Sequence, residues 1–121
     1  MRVRSISWIG VPAHDYDATV HLFRDVLGLK VEFEEPETVE LSVEDGGRLQ
    51  VFAAGHRYYD FYRREGARLV PLFEVDDLGA ARREFEAAGV EVLDEDSDSA
   101  WRWLHVRAPD GDVYALGERK T

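Results

Sequence analysis

Residues 101–105 read Trp-Arg-Trp-Leu-His. On a β-strand alternate side chains share a face, so Trp101, Trp103 and His105 stand together and Leu104 points away. Indole faces stack on planar rings and attract cations, while an imidazole moves protons near neutral pH. This trio is suited to holding a flat organic molecule or, through His105, to general-base work. The remaining histidines are placed differently. His14 lies in a loop before a helix, His21 on the polar face of that helix beside Arg24 and Asp25, and His56 at the head of the connector HRYYDFYRREG. These three read as solvated surface groups. The chain has no cysteine, so it offers neither a thiolate zinc site nor a disulfide framework.

The elements that must position these groups follow from pattern and punctuation. Residues 5–12 read as a strand. Asp15 or Asp17 caps the helix ATVHLFRDVLG, whose Phe23 and Leu27 mark an apolar stripe, and Gly28 stops it. Residues 29–34, 38–44 and 48–53 read as strands divided by the turns EEPE and EDGG. The second half repeats this plan. A strand over 68–75 leads to a helix capped by Asp77, with Leu78, Ala81, Phe85 and Ala88 on one face and Gly89 as its stop. Strands follow near 90–93, 101–107 and 113–116, with APDGD as the last turn. Helix stops Gly28 and Gly89 are 61 residues apart, caps Asp15 and Asp77 are 62 apart, and turn glycines Gly46 and Gly111 are 65 apart. The expected architecture is α+β in a single domain over residues 1–121: module 1 over about 1–55, a linker over 56–66, and module 2 over about 67–121.

Composition narrows the function classes. A hydrophobic fraction of 45% is ordinary for a folded domain, and no apolar run approaches membrane-span length. The start MRVRSISWIGV lacks the features of a signal peptide, which with the absence of cysteine leads to an expectation of a cytoplasmic protein. A formal net charge of −10 repels nucleic acid and anionic lipid and favours a cationic small molecule.

Three stretches, DYDATVHLFRDVLGLKVEF, FEVDDLGAARREFEAAGVEV and VRAPDGDVYAL, together span nearly the whole chain. They resemble the glyoxalase/bleomycin-resistance/dioxygenase superfamily, also called vicinal oxygen chelate proteins. The resemblance implies two βαβββ modules curling a mixed sheet around a cup, helices outside, and usually a homodimer. It also implies four metal-ligand positions, which fall here on Trp8, Gln50, Val70 and Ala115. Three of these have no lone pair to offer a transition metal and Gln50 is a weak neutral donor. The expectation is therefore of no metal and no cofactor, and against the family's metal-dependent chemistry.

Applied to the resembled fold, strand parity puts Leu41, Val43, Leu49, Val51, Ile9, Val11, Leu104 and Val106 toward the helices. The cup side receives Trp8, Glu40, Ser42, Gln50, Phe52, Trp101, Trp103 and His105. Tyr59 and its neighbours Tyr58, Phe61 and Tyr62 stand in the linker as a wall or as interface packing. Val70 and Ala115 complete the candidate ligand-binding set from the former metal positions. The acidic run DEDSD at 94–98 sits near the rim. The reading these residues favour is a metal-free small-molecule binding protein, close to the bleomycin-resistance branch, that sequesters an aromatic, cationic antibiotic or metabolite by tryptophan stacking. The alternatives are a lyase, isomerase or dioxygenase-like enzyme with non-standard residues, in which His105 with Glu40 would supply the base, and a dimeric regulatory or structural module.

Overall fold

In the computed structural model, which describes residues 1–121, the chain resolves into two compact units: Trp8–Val70, and Met1–Ser7 together with Pro71–Thr121. Each has the α+β plan expected of a βαβββ module. The first contains the second half of β1 (Val3–Pro12), from Trp8 on, α1 (Tyr16–His21) running into a π-helical turn (Leu22–Val26), β2 (Lys30–Glu35), β3 (Thr38–Ser42), β4 (Arg48–Phe52) and α2 (Arg57–Arg64). The second contains the first half of β1, β5 (Val70–Val75) from Pro71 on, α3 (Leu78–Ala87), β6 (Val92–Ser97), β7 (Trp101–Arg107) and β8 (Val113–Arg119). Strand order is β2-β3-β4-β1 in the first and β6-β7-β8-β5 in the second. In each, one parallel pair (β1 with β4, β5 with β8) joins two antiparallel pairs. No helix is long and apolar enough to cross a membrane.

Local chemistry sets the boundaries. The Asp15 carboxylate accepts from the Ala18 amide at 3.2 Å and the Asp77 carboxylate from the Ala80 amide at 3.0 Å, which caps both module helices. Gly28 and Gly89 end them with φ of 73° and 75°, a left-handed conformation that favours glycine. The repeat extends to an irregularity: β2 bulges between Val31 and Phe33, and β6 between Val92 and Asp94.

Aliphatic side chains of alternate parity build the two cores. Val39, Leu41 and Val51 are fully buried and pack with Ala13, Val20, Phe23 and Leu49. Leu104, Val106, Leu116 and Val75 pack with Leu78, Ala81 and Phe85 of α3. Each fully buried aliphatic side chain stabilises its unit by about 1.5–3 kcal/mol.

Four expectations need correction. Leu27 does not continue the buried stripe of α1. The π turn, in which the Leu27 amide bonds the Leu22 carbonyl, rotates it outward, and it is 59% exposed. Val43 is exposed rather than turned to the helix because β3 ends at Ser42 and Val43 belongs to the turn, bonding Gly47. Ala88 is the exposed C-cap of α3 rather than part of its buried face. The linker contains helix α2, and His56 is not a free surface group. Its Nδ1 accepts from the Tyr58 amide at 3.1 Å and caps that helix, with the ring 4.7 Å from that of Phe52.

This cap has a pH signature. Only a neutral His56 accepts at Nδ1. Burial pushes its pKa below the usual value of 6.5, with Glu37, Glu35 and Asp60 pulling it up and Arg57 pushing it down. The unfolded chain is then the stronger proton binder, so stability is complete above pH 6.5 and declines as pH falls through the lower folded value. Urea midpoints measured on either side of that window are expected to fall on acidification in wild type and to change less in His56→Asn, which caps at either pH. The cap itself is worth about 1 kcal/mol.

Candidate functional site

In the first unit the sheet face opposite α1 is built by β1, β4 and β3. Trp8, Gly10 and Pro12 on β1 share parity with Arg48, Gln50 and Phe52 on β4 and with Thr38, Glu40 and Ser42 on β3. Trp8 lies along its own strand over Gly10, where only a missing Cβ gives it room. A Cβ there would stand 2.5 Å from Cη2 and 2.8 Å from Cζ3 of the indole, and 3.2 Å from Cε2 of Tyr62. The Trp8 N–H donates to Gln50 Oε1 at 3.2 Å. Gln50 Nε2 donates to Thr38 Oγ1 at 3.0 Å, and Thr38 donates to the Val51 carbonyl at 2.8 Å. This relay fixes the indole plane and commits both ends of the Gln50 amide.

Beside the relay stands a charged group. Arg48 donates to Glu40 at 2.8 Å and lies 3.7 Å from Glu32, which accepts from Ser42 at 2.9 Å. Burial raises the Glu40 carboxyl above the usual carboxylate range, against the opposing pull of Arg48 and the Trp8 N–H. Glu32 is held low by the Ser42 hydroxyl, with Lys30 and Arg48 adding to it. Glu32, Ser42 and Arg48 form the polar side of an open groove of about 710 Å³ whose apolar side is Leu27, Leu29 and Val43. Phe52 is buried at the centre of an aromatic group. Its ring centroid is 6.1 Å from that of Trp8, 5.9 Å from Tyr62 and 6.2 Å from Tyr58. Tyr59, the remaining linker candidate, is half-buried with Arg63 over its ring at 5.9 Å. Val70 is fully buried.

In the second unit Trp101, Trp103 and His105 share the face opposite α3, paired with Arg119, Gly117 and Ala115. Arg119 places its guanidinium 4.4 Å from the Trp101 ring and reaches Glu74 at 3.5 Å. Gly117 opens the space for that ring: a Cβ would come within 3.2 Å of Trp101 and 3.1 Å of Leu72. Trp103 is half-buried. His105 is only 2% exposed, and its Nδ1 lies 2.5 Å from Asp94 Oδ1. An ionised carboxylate only accepts, so Nδ1 carries the proton. Ala115 is buried. The DEDSD run is not a free acidic rim. Asp94 holds His105, Glu95 pairs with Arg82, and the Asp98 carboxylate accepts from the Ala100 and Trp101 amides.

The structure thus gathers Trp8, Gln50, Glu40, Ser42 and Phe52 on one sheet face, and Trp101, Trp103, His105 and Ala115 on another. Thr38, Arg48, Glu32, Gly10, Arg119 and Gly117 belong beside them and were not singled out from the sequence, and Asp94, read there only as part of the acidic run 94–98, belongs with His105. Parity would have found Thr38 and Gly10, each two residues from a chosen position on its strand.

Two βαβββ units of matching topology, caps, stops and bulges define a tandem-module α+β scaffold. The chain belongs to the Glyoxalase/Bleomycin resistance protein/Dioxygenase superfamily, whose family model matches residues 5–112. No match was found among curated proteins. Among solved structures, a glyoxalase/bleomycin resistance protein/dioxygenase superfamily member from Vibrio splendidus 12B01 is similar, with 20% identity and a TM-score of 0.70 over 98% of this chain and 100% of that one. Hypothetical protein BH1468 from Bacillus halodurans C-125 aligns with 14% identity and a TM-score of 0.76 over 97% and 95%. Methylmalonyl-CoA epimerase from Mycobacterium tuberculosis aligns with 21% identity and a TM-score of 0.69 over 100% and 94%. At these identities the likeness is one of fold.

The donor set does not fit the divalent metal that many members of such a scaffold carry. Trp8 presents an N–H, Gln50 is committed at both ends, and Val70 and Ala115 are buried hydrocarbon. No group of three or more His, Cys, Asp or Glu residues is arranged to hold a metal ion.

Proposed function

We propose that this protein binds a small organic molecule without a metal, holding a planar ring against fixed indoles. The observation that carries the reading is the Trp8–Gln50–Thr38–Val51 relay. It locks an aromatic plane at a position where the family's metal-dependent members need a lone pair. A rigid aromatic plane flanked by a few oriented polar groups is the usual make-up of a small-molecule pocket. A net charge of −10 favours a ligand that is cationic. Sequestration of an antibiotic or metabolite is the role that such binding would serve.

Titration of intrinsic tryptophan fluorescence with a panel of planar cationic and neutral aromatic compounds tests this. The expected result is saturable quenching by a cationic member that persists in excess chelator. Absence of saturation across the panel, or quenching that requires an added divalent metal, would overturn the reading.

A further inference from the structure

We infer that the indole of Trp101 and the carboxylate of Glu74 form a cation cage on the second unit's sheet face. The Arg119 guanidinium is its resident occupant, a tethered stand-in that a ligand's guanidinium or quaternary ammonium group displaces. The cage does not rest on the Trp8 plane, since all its residues lie within Pro71–Thr121.

Strand register assembles it. Trp101 and Arg119 are direct cross-strand partners on β7 and β8. Glu74 on β5 is paired with Gly117, two residues before Arg119, so the three side chains leave the same face. The indole is fixed in place. Gly117 leaves room for it beside Leu72: a Cβ there would come within 3.2 Å of the ring and 3.1 Å of both Leu72 methyls. The Asp98 carboxylate accepts from the Trp101 amide at 2.8 Å, which anchors the backbone behind the ring. A fixed indole face attracts a cation, and a carboxylate beside it adds charge-assisted hydrogen bonding.

Arg119 fills this cage poorly. Its guanidinium lies 4.4 Å from the Trp101 ring, yet the side chain is 61% exposed, whereas the Glu74 side chain is only 15% exposed. Its reach to Glu74 is 3.5 Å, well beyond the ~2.8 Å of a good charge-assisted hydrogen bond. No other group donates to Glu74. Arg4, the other cation near it, is spent on Asp76 at 2.7 Å. A carboxylate largely withdrawn from water with one long partner is under-satisfied. A cross-strand Trp–Arg pair explains stacking on the β7–β8 hairpin. It does not explain a mostly buried carboxylate brought in from a third strand. A free cation is not limited by the length of an arginine side chain and can close on Glu74 while stacking on Trp101. The net charge of −10 draws such a ligand in. The tethered arginine lowers the ligand's apparent affinity by the fraction of molecules whose cage it fills.

The test titrates methylguanidinium, with methylurea as its neutral isostere, and follows the NMR signals of the Trp101 and Trp8 indole N–H groups. Arg119→Ala is expected to bind methylguanidinium about two- to fivefold more tightly than wild type, read at Trp101. Adding Glu74→Gln to that variant is expected to weaken binding about tenfold. Methylurea is expected to shift neither signal. Arg119→Gln keeps the side chain's reach without its charge and carries the same test should Arg119→Ala perturb the fold. Wild-type affinity in a folded arginine variant, an equal response to methylurea, or binding indifferent to Glu74→Gln would overturn the proposal. A response confined to Trp8 would also overturn it, while leaving the planar-ring reading intact. Failure of the aromatic panel at Trp8 leaves the cage standing.

Discussion

Gly10→Ala is expected to expel Trp8 from its seat. The added methyl would overlap the indole at 2.5 Å and 2.8 Å and press on Tyr62 at 3.2 Å. The ring cannot slide freely, because its N–H is tied to Gln50 and its neighbour is buried Phe52. Overpacking of this kind costs about 1–3 kcal/mol. Loss of the Trp8–Gln50 bond adds about 0.5–1.5 kcal/mol. The functional consequence is larger than the structural one. With the aromatic plane displaced, ligand-induced fluorescence quenching is expected to weaken at least tenfold, and tryptophan emission to shift red as the indole meets water. Denaturant titration and the ligand panel read the two effects separately. A variant with wild-type emission and affinity would show that Trp8 is not the binding plane.

Asp94→Ala is expected to destabilise the second unit by loosening His105 from its seat. His105 is 2% exposed, and the 2.5 Å contact to Asp94 orients its imidazole. Removing one partner of a part-buried polar pair costs about 1–3 kcal/mol. Asp94→Asn, which retains an acceptor oxygen, is expected to recover part of that loss. His105→Leu combined with Asp94→Ala is expected to cost less than the sum of the two single changes. Urea unfolding of the four variants checks the ordering. Full additivity would show that the two side chains are energetically independent.

What could be read from the chain alone was what period and punctuation encode. Capping aspartates, stop glycines and the Asp-Gly turns located the helices and turns. The alternation in Val39-Glu40-Leu41-Ser42 and in Trp101 to Val106 assigned sheet faces that the structure reproduces. What stayed hidden was register. Asp94 stands opposite His105 only because β6 bulges at Leu93. An unbulged hairpin would put Leu93 there, and no local pattern announces a bulge. The cap on α2 stayed hidden for a different reason. A histidine is rarely read as an N-cap, and the helix RYYDFYRR is dense in aromatic and β-favouring residues that local preference does not assign to a helix. Gly10 and Gly117 were missed because their role is the space they leave for an indole two residues away or one strand across.

The two halves of this protein differ by one residue between helix cap and helix stop: thirteen positions separate Asp15 from Gly28, twelve separate Asp77 from Gly89. The surplus is absorbed in the wide turn at Leu22–Val26, where the Leu27 amide reaches back five residues. An extra residue in a strand would invert every later side chain, sending indoles inward and valines outward. A helix confines the damage to one swollen coil, and the strands on either side keep their facing. A duplicated architecture of this kind can therefore drift in length through its helices while its sheet surfaces stay in step. The slack shows only as a few greasy side chains, Leu22, Val26 and Leu27, left facing water.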